Sequence, residues 1–210
     1  MLLDLVLTPH SNTEVDFLHS TSLSLTTMAP VEDNKWYTIH LYNEFHDDGA
    51  GDEVVDLDSG SSNNGTHCKV WTYKDDGGSG RYNMSWRAVI ADKNMDDGTI
   101  YWSFQNRAGT TYMDLNHGSN GVGTQVQGWG TNGSNAQQWS LVETKGNDRQ
   151  TVCWRLKNRA SGTVCGYWGV PVHGVDIRGF FPSSDTPPAP GRGARDTSQL
   201  FVFKERNVSW

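Results

Sequence analysis

The stretch "MDLNHGSNGVGTQVQGW" (residues 113–129) decides the reading of this chain, because a version of it occurs earlier. "VDLDSGSSNNGTHCKVW" (55–71) aligns to it without a gap, and 7 of the 17 positions are identical. The shared residues are the Asp-Leu pair, Gly-Ser, Gly-Thr and the closing Trp. Similarity at a fixed spacing is the mark of a repeat architecture. Upstream, "YTIHLYN" (37–43), "IYWSFQN" (100–106) and "VCWRLKN" (152–158) share an apolar pattern and a final Asn. Downstream, "NMSWRAV" (83–89), "AQQWSLV" (136–142) and "SQLFVFK" (198–204) share an aromatic and a similar short run after it. The chain therefore divides into three units, about 33–92, 97–146 and 150–206.

Within each unit, apolar residues alternate over short runs bounded by Gly, Asn and Ser, the pattern of half-buried strands. "NRAGT" (106–110) and "NRASGT" (158–163) read as hairpin turns, and no segment sustains a helical period. Each unit is about four short strands and cannot bury its own apolar face. The three must associate. The segment 181–198, rich in Pro, Gly and Ser, reads as a surface loop that lengthens the third unit.

Composition agrees with an all-β chain. Of 210 residues, 23 are Gly and 9 are Trp, and only 20% are charged. A net charge of −7 argues against nucleic acid or an anionic membrane as the main partner. No run of apolar residues is long enough to enter a bilayer as a helix. Residues 1–30 read as a poorly ordered extension ahead of a folded domain at 31–210. The first 27 contain no Lys or Arg, and Asp4 interrupts their apolar run, so they do not read as a secretory signal. The expectation is a cytoplasmic protein, or one released by a non-classical route. Cys68, Cys153 and Cys165 are too few for a disulfide framework and read as free thiols; the alternative is a Cys153–Cys165 bridge across a hairpin.

Three spaced units with a Gln-x-Trp-like ending, preceded in the first two by an Asp and a Trp, resemble the ricin-B-type β-trefoil lectins. The middle unit, "NRAGTTYMDLNHGSNGVGTQVQGWGTNGSNAQQWSL" (106–141), resembles a fungal member of that family throughout. The resemblance implies a β-trefoil: a six-stranded barrel capped by three hairpins with pseudo-threefold symmetry. It also places the Gln-x-Trp aromatics, here Trp86, Trp139 and Phe201, in the common core. Gln137 and Gln199 match the motif's Gln, and Met84 replaces it in the first unit. Trp139 is then core, and Trp129 is the ring left for function.

A galactose-like sugar offers one apolar C–H face and an edge of hydroxyls. Binding it takes a flat aromatic, a carboxylate that accepts from adjacent hydroxyls, and an amide that both donates and accepts. By the resemblance, the middle unit supplies Asp114, Gln127 and Trp129, with Asn135 as the nearest amide because Ala136 stands where the family commonly has Asn. The first unit supplies Asp56, Trp71 and Asn83, with Lys69 in place of Gln127. In the third unit Cys165 or Gly166 stands at the Asp position, depending on a one-residue gap. Phe180 replaces the Trp there and Arg178 the Gln, so no sugar is expected. A strand Asp can also bond turn amides, and a strand Trp can be ordinary barrel packing. Recurrence of both in two units, with loss of both in the third, favours binding over a folding requirement.

The expected function is a carbohydrate-binding lectin for galactose- or N-acetylgalactosamine-type glycans. One shallow site binds a simple sugar at about millimolar strength, near −4 kcal/mol, so two sites or a homodimer would supply avidity. The alternatives are a β-trefoil protease inhibitor acting through loops such as 181–198, and a module for plant or microbial polysaccharide. The seven histidines show no metal-ligand spacing, and nucleophile-elbow, P-loop and dinucleotide motifs are absent. Neither catalysis nor a cofactor is expected.

Overall fold

The computed structural model describes residues 29–43, 45, 50–75, 79–182 and 196–206. Residues 1–28 of the expected extension, and most of the 181–198 loop, lie outside the described residues. Twelve strands succeed one another: β1 (Trp36–Tyr42), β2 (Ala50–Leu57), β3 (Thr66–Thr72) and β4 (Trp86–Lys93) in the first repeat. The second holds β5 (Ile100–Asn106), β6 (Tyr112–Leu115), β7 (Thr124–Trp129) and β8 (Trp139–Lys145). The third holds β9 (Val152–Asn158), β10 (Val164–Tyr167), β11 (Ile177–Phe180) and β12 (Phe201–Arg206).

The outer strands of each repeat close into one ring. β1 pairs β4, β4 pairs β5, β5 pairs β8, β8 pairs β9, β9 pairs β12, and β12 returns to β1, all antiparallel. The inner strands make three hairpins, β2–β3, β6–β7 and β10–β11. These join through β3–β7 and β7–β11, and the Lys69–Asp176 bridge draws the third side in. A six-stranded barrel with a triangular cap is the β-trefoil. Closure leaves the barrel no free edge.

Alternation along the strands sends one row of side chains to the axis. Trp86 and Ala88 on β4, and Trp102 and Phe104 on β5, enter the same core as Ile39, Leu156 and Phe201. Trp86, Trp139 and Phe201 occupy equivalent places, each fully buried. The indole N–H groups are satisfied there: Trp86 Nε1 donates to the carbonyl of Val55 at 2.9 Å and Trp139 Nε1 to that of Met113 at 3.1 Å. Each acceptor is the residue just before the repeated Asp, so the core ring ties down the strand that carries it.

The repeated Asn that closes β5 and β9 stitches each of these repeats to the previous one. Asn106 Nδ2 donates to the carbonyl of Asn83 (2.7 Å), and Asn158 Nδ2 to that of Ala136 (2.9 Å). Their Oδ1 atoms meanwhile accept from the turn amides of Ala108 and Ala160. Ala29 packs against the core and Val31 is buried within it. All three cysteines are buried and free, with no Cys153–Cys165 bridge; burial pushes the Cys153 thiol up to about 12.

Candidate functional site

The site begins with the turn after each Asp-Leu. Ser59 and Gly60 in the first repeat, and His117 and Gly118 in the second, all lie in the left-handed region, with φ near +55 and +61. The glycine is required by space as well. A Cβ on Gly60 would sit 2.3 Å from Asn83 Oδ1, and one on Gly118 would sit 2.8 Å from Ala160 Cβ. The turn folds each hairpin back on itself and sets the Asp against a residue of the next strand.

In the middle repeat that residue is Gln127, paired across the ladder with Asp114. Gln127 Nε2 donates to Asp114 Oδ1 at 3.1 Å and to Asn116 Oδ1 at 3.4 Å. Trp129, two residues along β7, lies on the same face. Together they line a cleft of about 350 Å³ whose other walls are Asn116, His117, Asn132, Ser134, Asn135 and Ala136. Asp114 is buried, and desolvation pushes its carboxyl above the usual range, opposed by hydrogen bonds from the Gln127 and Gln137 amides.

The Gln-x-Trp motif supports this cleft from beneath. Gln137 Nε2 donates to the carbonyl of Gly130 (2.9 Å) while its Oε1 accepts from the Asn132 amide (3.1 Å), pinning the loop after Trp129. Trp139 holds β6 from the core side. Ala136 is buried in the wall and Asn135 is exposed at the rim. Asn116, Asn132 and Ser134 were not among the expected site residues. Asn116 had a signal, since it aligns with Asp58 in the repeat, polar in both units.

The first repeat brings Asp56, Lys69 and Trp71 onto one face of the β2–β3 hairpin, Asp56 opposite Lys69. The Asn83 amide lies against Gly60 at its end. Lys69 does not behave as Gln127 does: its Nζ reaches Asp58 Oδ2 at 2.5 Å. Among the described residues no side chain donates a hydrogen bond to the buried Asp56 carboxylate. Burial, then the negative charge of Asp58, raises its pKa to about 7 against the opposing pull of Lys69. Trp71 is 36% exposed and stacks on His173 of the third repeat.

In the third repeat the ladder resolves the one-residue gap. Gly166 faces Arg178 as Asp114 faces Gln127, so Gly166 holds the Asp position and Cys165 does not. The place is filled. A Cβ on Gly166 would lie 3.0 Å from Phe180 Cδ2, 3.0 Å from the Ser198 carbonyl and 3.1 Å from Gln199 Cγ. Arg178 is engaged by the Gly123 carbonyl and by Asp176. Restoring the carboxylate with Gly166→Asp is expected to overpack this corner at a cost of roughly 1–3 kcal/mol, lowering the thermal midpoint without adding a sugar site; calorimetry and lactose titration check both.

A larger groove of about 660 Å³ runs along the barrel wall past Tyr101, Trp154 and Arg159. There the Arg159 guanidinium lies 4.3 Å over the Tyr101 ring and pairs with Asp92 at 2.7 Å, so its charge is already matched.

Residues 82–177 match the family described as ricin-type β-trefoil lectin domain-like. The match spans the middle repeat and reaches into both of its neighbours. Similar solved structures share the β-trefoil fold. The designed threefold-symmetric protein ThreeFoil superposes with a TM-score of 0.57 at 20% identity, over 80% of this chain and 96% of that one. The Polyporus squamosus lectin, solved with a human-type influenza-binding epitope, gives 0.57 at 18% identity, over 83% of this chain and 50% of that one. The present chain thus spans about half of that lectin. The Macrolepiota procera ricin B-like lectin, solved with lactose, gives 0.53 at 11% identity, over 84% of this chain and 99% of that one. At these identities the likeness speaks to fold alone. No curated protein matches the chain in sequence. No helix among the described residues is long and apolar enough to cross a membrane.

Proposed function

We propose that the lectin-like domain binds carbohydrate, specifically the galactose- or N-acetylgalactosamine-type ends of glycans, through the Asp114 and Asp56 sites. The observation that carries this reading is the middle cleft. It sets a buried carboxylate, a primary amide bonded to it, and a partly exposed indole around a space that fits a sugar ring. Asp114 accepts from two adjacent hydroxyls, Gln127 bridges to a third, and Trp129 takes the C–H face. The first site repeats the plan with Lys69 and Asp58 in place of two amides. Among the described residues no side chain donates to the Asp56 carboxylate, which leaves its oxygens to accept from ligand hydroxyls. The domain acts in this reading as a binding module, with no catalytic role and no cofactor, and two sites on one chain supply avidity.

The reading is tested by isothermal titration with lactose against glucose and maltose. Lactose is expected to bind at about millimolar strength, and equal affinity for all three would contradict the galactose assignment.

The two sites are expected to differ with pH. Asp56 must be ionised to accept two hydroxyl protons, and its pKa in the folded chain is raised to about 7 from 3.8. Binding at the first site, isolated by Asp114→Ala, should therefore fall as pH drops from 8 to 6 and be lost by about pH 5. For folding the sign runs the other way. A raised carboxyl pKa contributes stability below the unfolded value that is lost as pH rises through 7, and Asp56→Asn should remove that dependence. Lactose titrations of the Asp114→Ala chain across this range check the first expectation; unchanged affinity from pH 8 to 5 would contradict it.

A further inference from the structure

Three equivalent positions carry different side chains: Asn64, Val122 and His173. Each precedes a glycine in the left-handed region, Gly65, Gly123 and Gly174, with φ of +86, +83 and +83. Each glycine N–H bonds into a neighbouring repeat: Gly65 to the Gly128 carbonyl at 3.0 Å, Gly123 to that of Gly179 at 2.8 Å, Gly174 to that of Val70 at 2.9 Å. The hairpin tip of one repeat is thus laid along the aromatic strand of another. Asn64 arrives at β7, where its Oδ1 accepts from the Gly130 amide at 2.7 Å. His173 arrives at β3, where its ring stacks on Trp71 with centroids 4.9 Å apart and planes 19° apart. Its Nε2 also meets Thr72 Oγ1. Val122 arrives at β11, the strand of the repeat whose Asp is replaced by Gly166.

We propose that His173 is the positioning residue of the first-repeat sugar site: the third repeat, which has no site of its own, lends its hairpin tip to hold Trp71. This rests on the reading of Asp56 and Trp71 as a sugar site. An indole at a hairpin surface samples several rotamers, and fixing it on binding costs affinity that a pre-fixed ring keeps. His173 reaches the ring from the edge of β3 opposite β2, since Val70 pairs with Val175 and Gly174 on that edge and with Val55 of β2 on the other. It therefore backs the indole on the side away from Asp56 and leaves the side toward Asp56 to a sugar. The tip itself is fastened. Val70 N donates to the Val175 carbonyl at 2.7 Å, and Asp176 pairs with His67 at 3.1 Å and Arg178 at 2.7 Å. The two sites then differ in the cross-repeat residue: an aromatic backing at Trp71, and an amide fastening the loop beside Trp129.

The test uses the full chain with Asp114→Ala, so that only the first site remains. Adding His173→Ala is expected to weaken lactose binding about three- to ten-fold, the range of one aromatic pair, while His173→Phe restores most of it. In the Asp56→Ala background, where only the middle site remains, His173→Ala should leave lactose affinity unchanged. Without ligand, ¹⁵N relaxation of the Trp71 indole N–H should show a ring that is ordered in the wild type and mobile in His173→Ala. An indole equally ordered in both, or an equal loss of affinity in both backgrounds, overturns the role of His173. If the Asp114→Ala chain does not bind lactose at all, the sugar reading of the first site falls and the proposal with it. The indole relaxation separates that outcome from a failure of the histidine.

Discussion

The double variant Asp56→Ala, Asp114→Ala is expected to pass through a galactosyl column unretained while remaining folded. Each carboxylate accepts charge-assisted hydrogen bonds worth roughly 1.5–3 kcal/mol apiece. Against about −4 kcal/mol for a millimolar site, loss of two such bonds leaves no measurable binding at the mutated site. Either single variant keeps one site and should lose avidity, seen as earlier elution and weaker agglutination. The fold should survive because the barrel closes in the third repeat with Gly166 at the same place. Asp→Asn should be nearly as damaging to binding, since the amide offers one acceptor oxygen and no charge. A folded double variant retained like the wild type would move the sugar elsewhere on the molecule.

The second large effect separates the two tryptophans ten residues apart. Trp139 is fully buried and its indole N–H holds Met113, while Trp129 is only partly buried at the cleft wall. Trp139→Ala is expected to cost roughly 3–5 kcal/mol, a lowering of the thermal midpoint of the order of 10 °C for a domain of this size. Trp129→Ala should cost much less and yet abolish binding at the middle site. Differential scanning calorimetry beside lactose titration reads both. Equal losses of stability would place Trp129 in the core and remove the aromatic from the site.

The repeat made most of this architecture legible. Asp, Gly and Trp recur at one spacing because the same turn must be built twice, with the same left-handed glycine packed close against a neighbouring side chain. The alignment made Trp86, Trp139 and Phe201 equivalent, and the resemblance to β-trefoil lectins implied their core positions and the grouping of Asp114 with Gln127. What stayed hidden depends on which side chains meet, within a repeat and between repeats, and spacing alone does not encode that. Lys69 stands where Gln127 does, yet Asp58 draws its ammonium aside. His173 lies in a tip that reads as an ordinary loop until β3 is seen beside it. Gly166 looked like one of two choices because a gap of one residue costs a linear alignment nothing; the ladder admits only one. Asn132 and Ser134 reach the cleft because Gln137 pins their loop, a bond across five residues that no periodicity announces.

Two Asp–indole sites on this trefoil are proposed to recognise sugar. The most direct measurement is a glycan array probed in parallel with the wild type and the Asp56→Ala, Asp114→Ala double variant, each shown to be folded by circular dichroism. Signal is expected on glycans ending in galactose or N-acetylgalactosamine for the wild type, and none for the double variant. Equal signal from both, or an array blank for the wild type with inhibition in a protease assay, would contradict it.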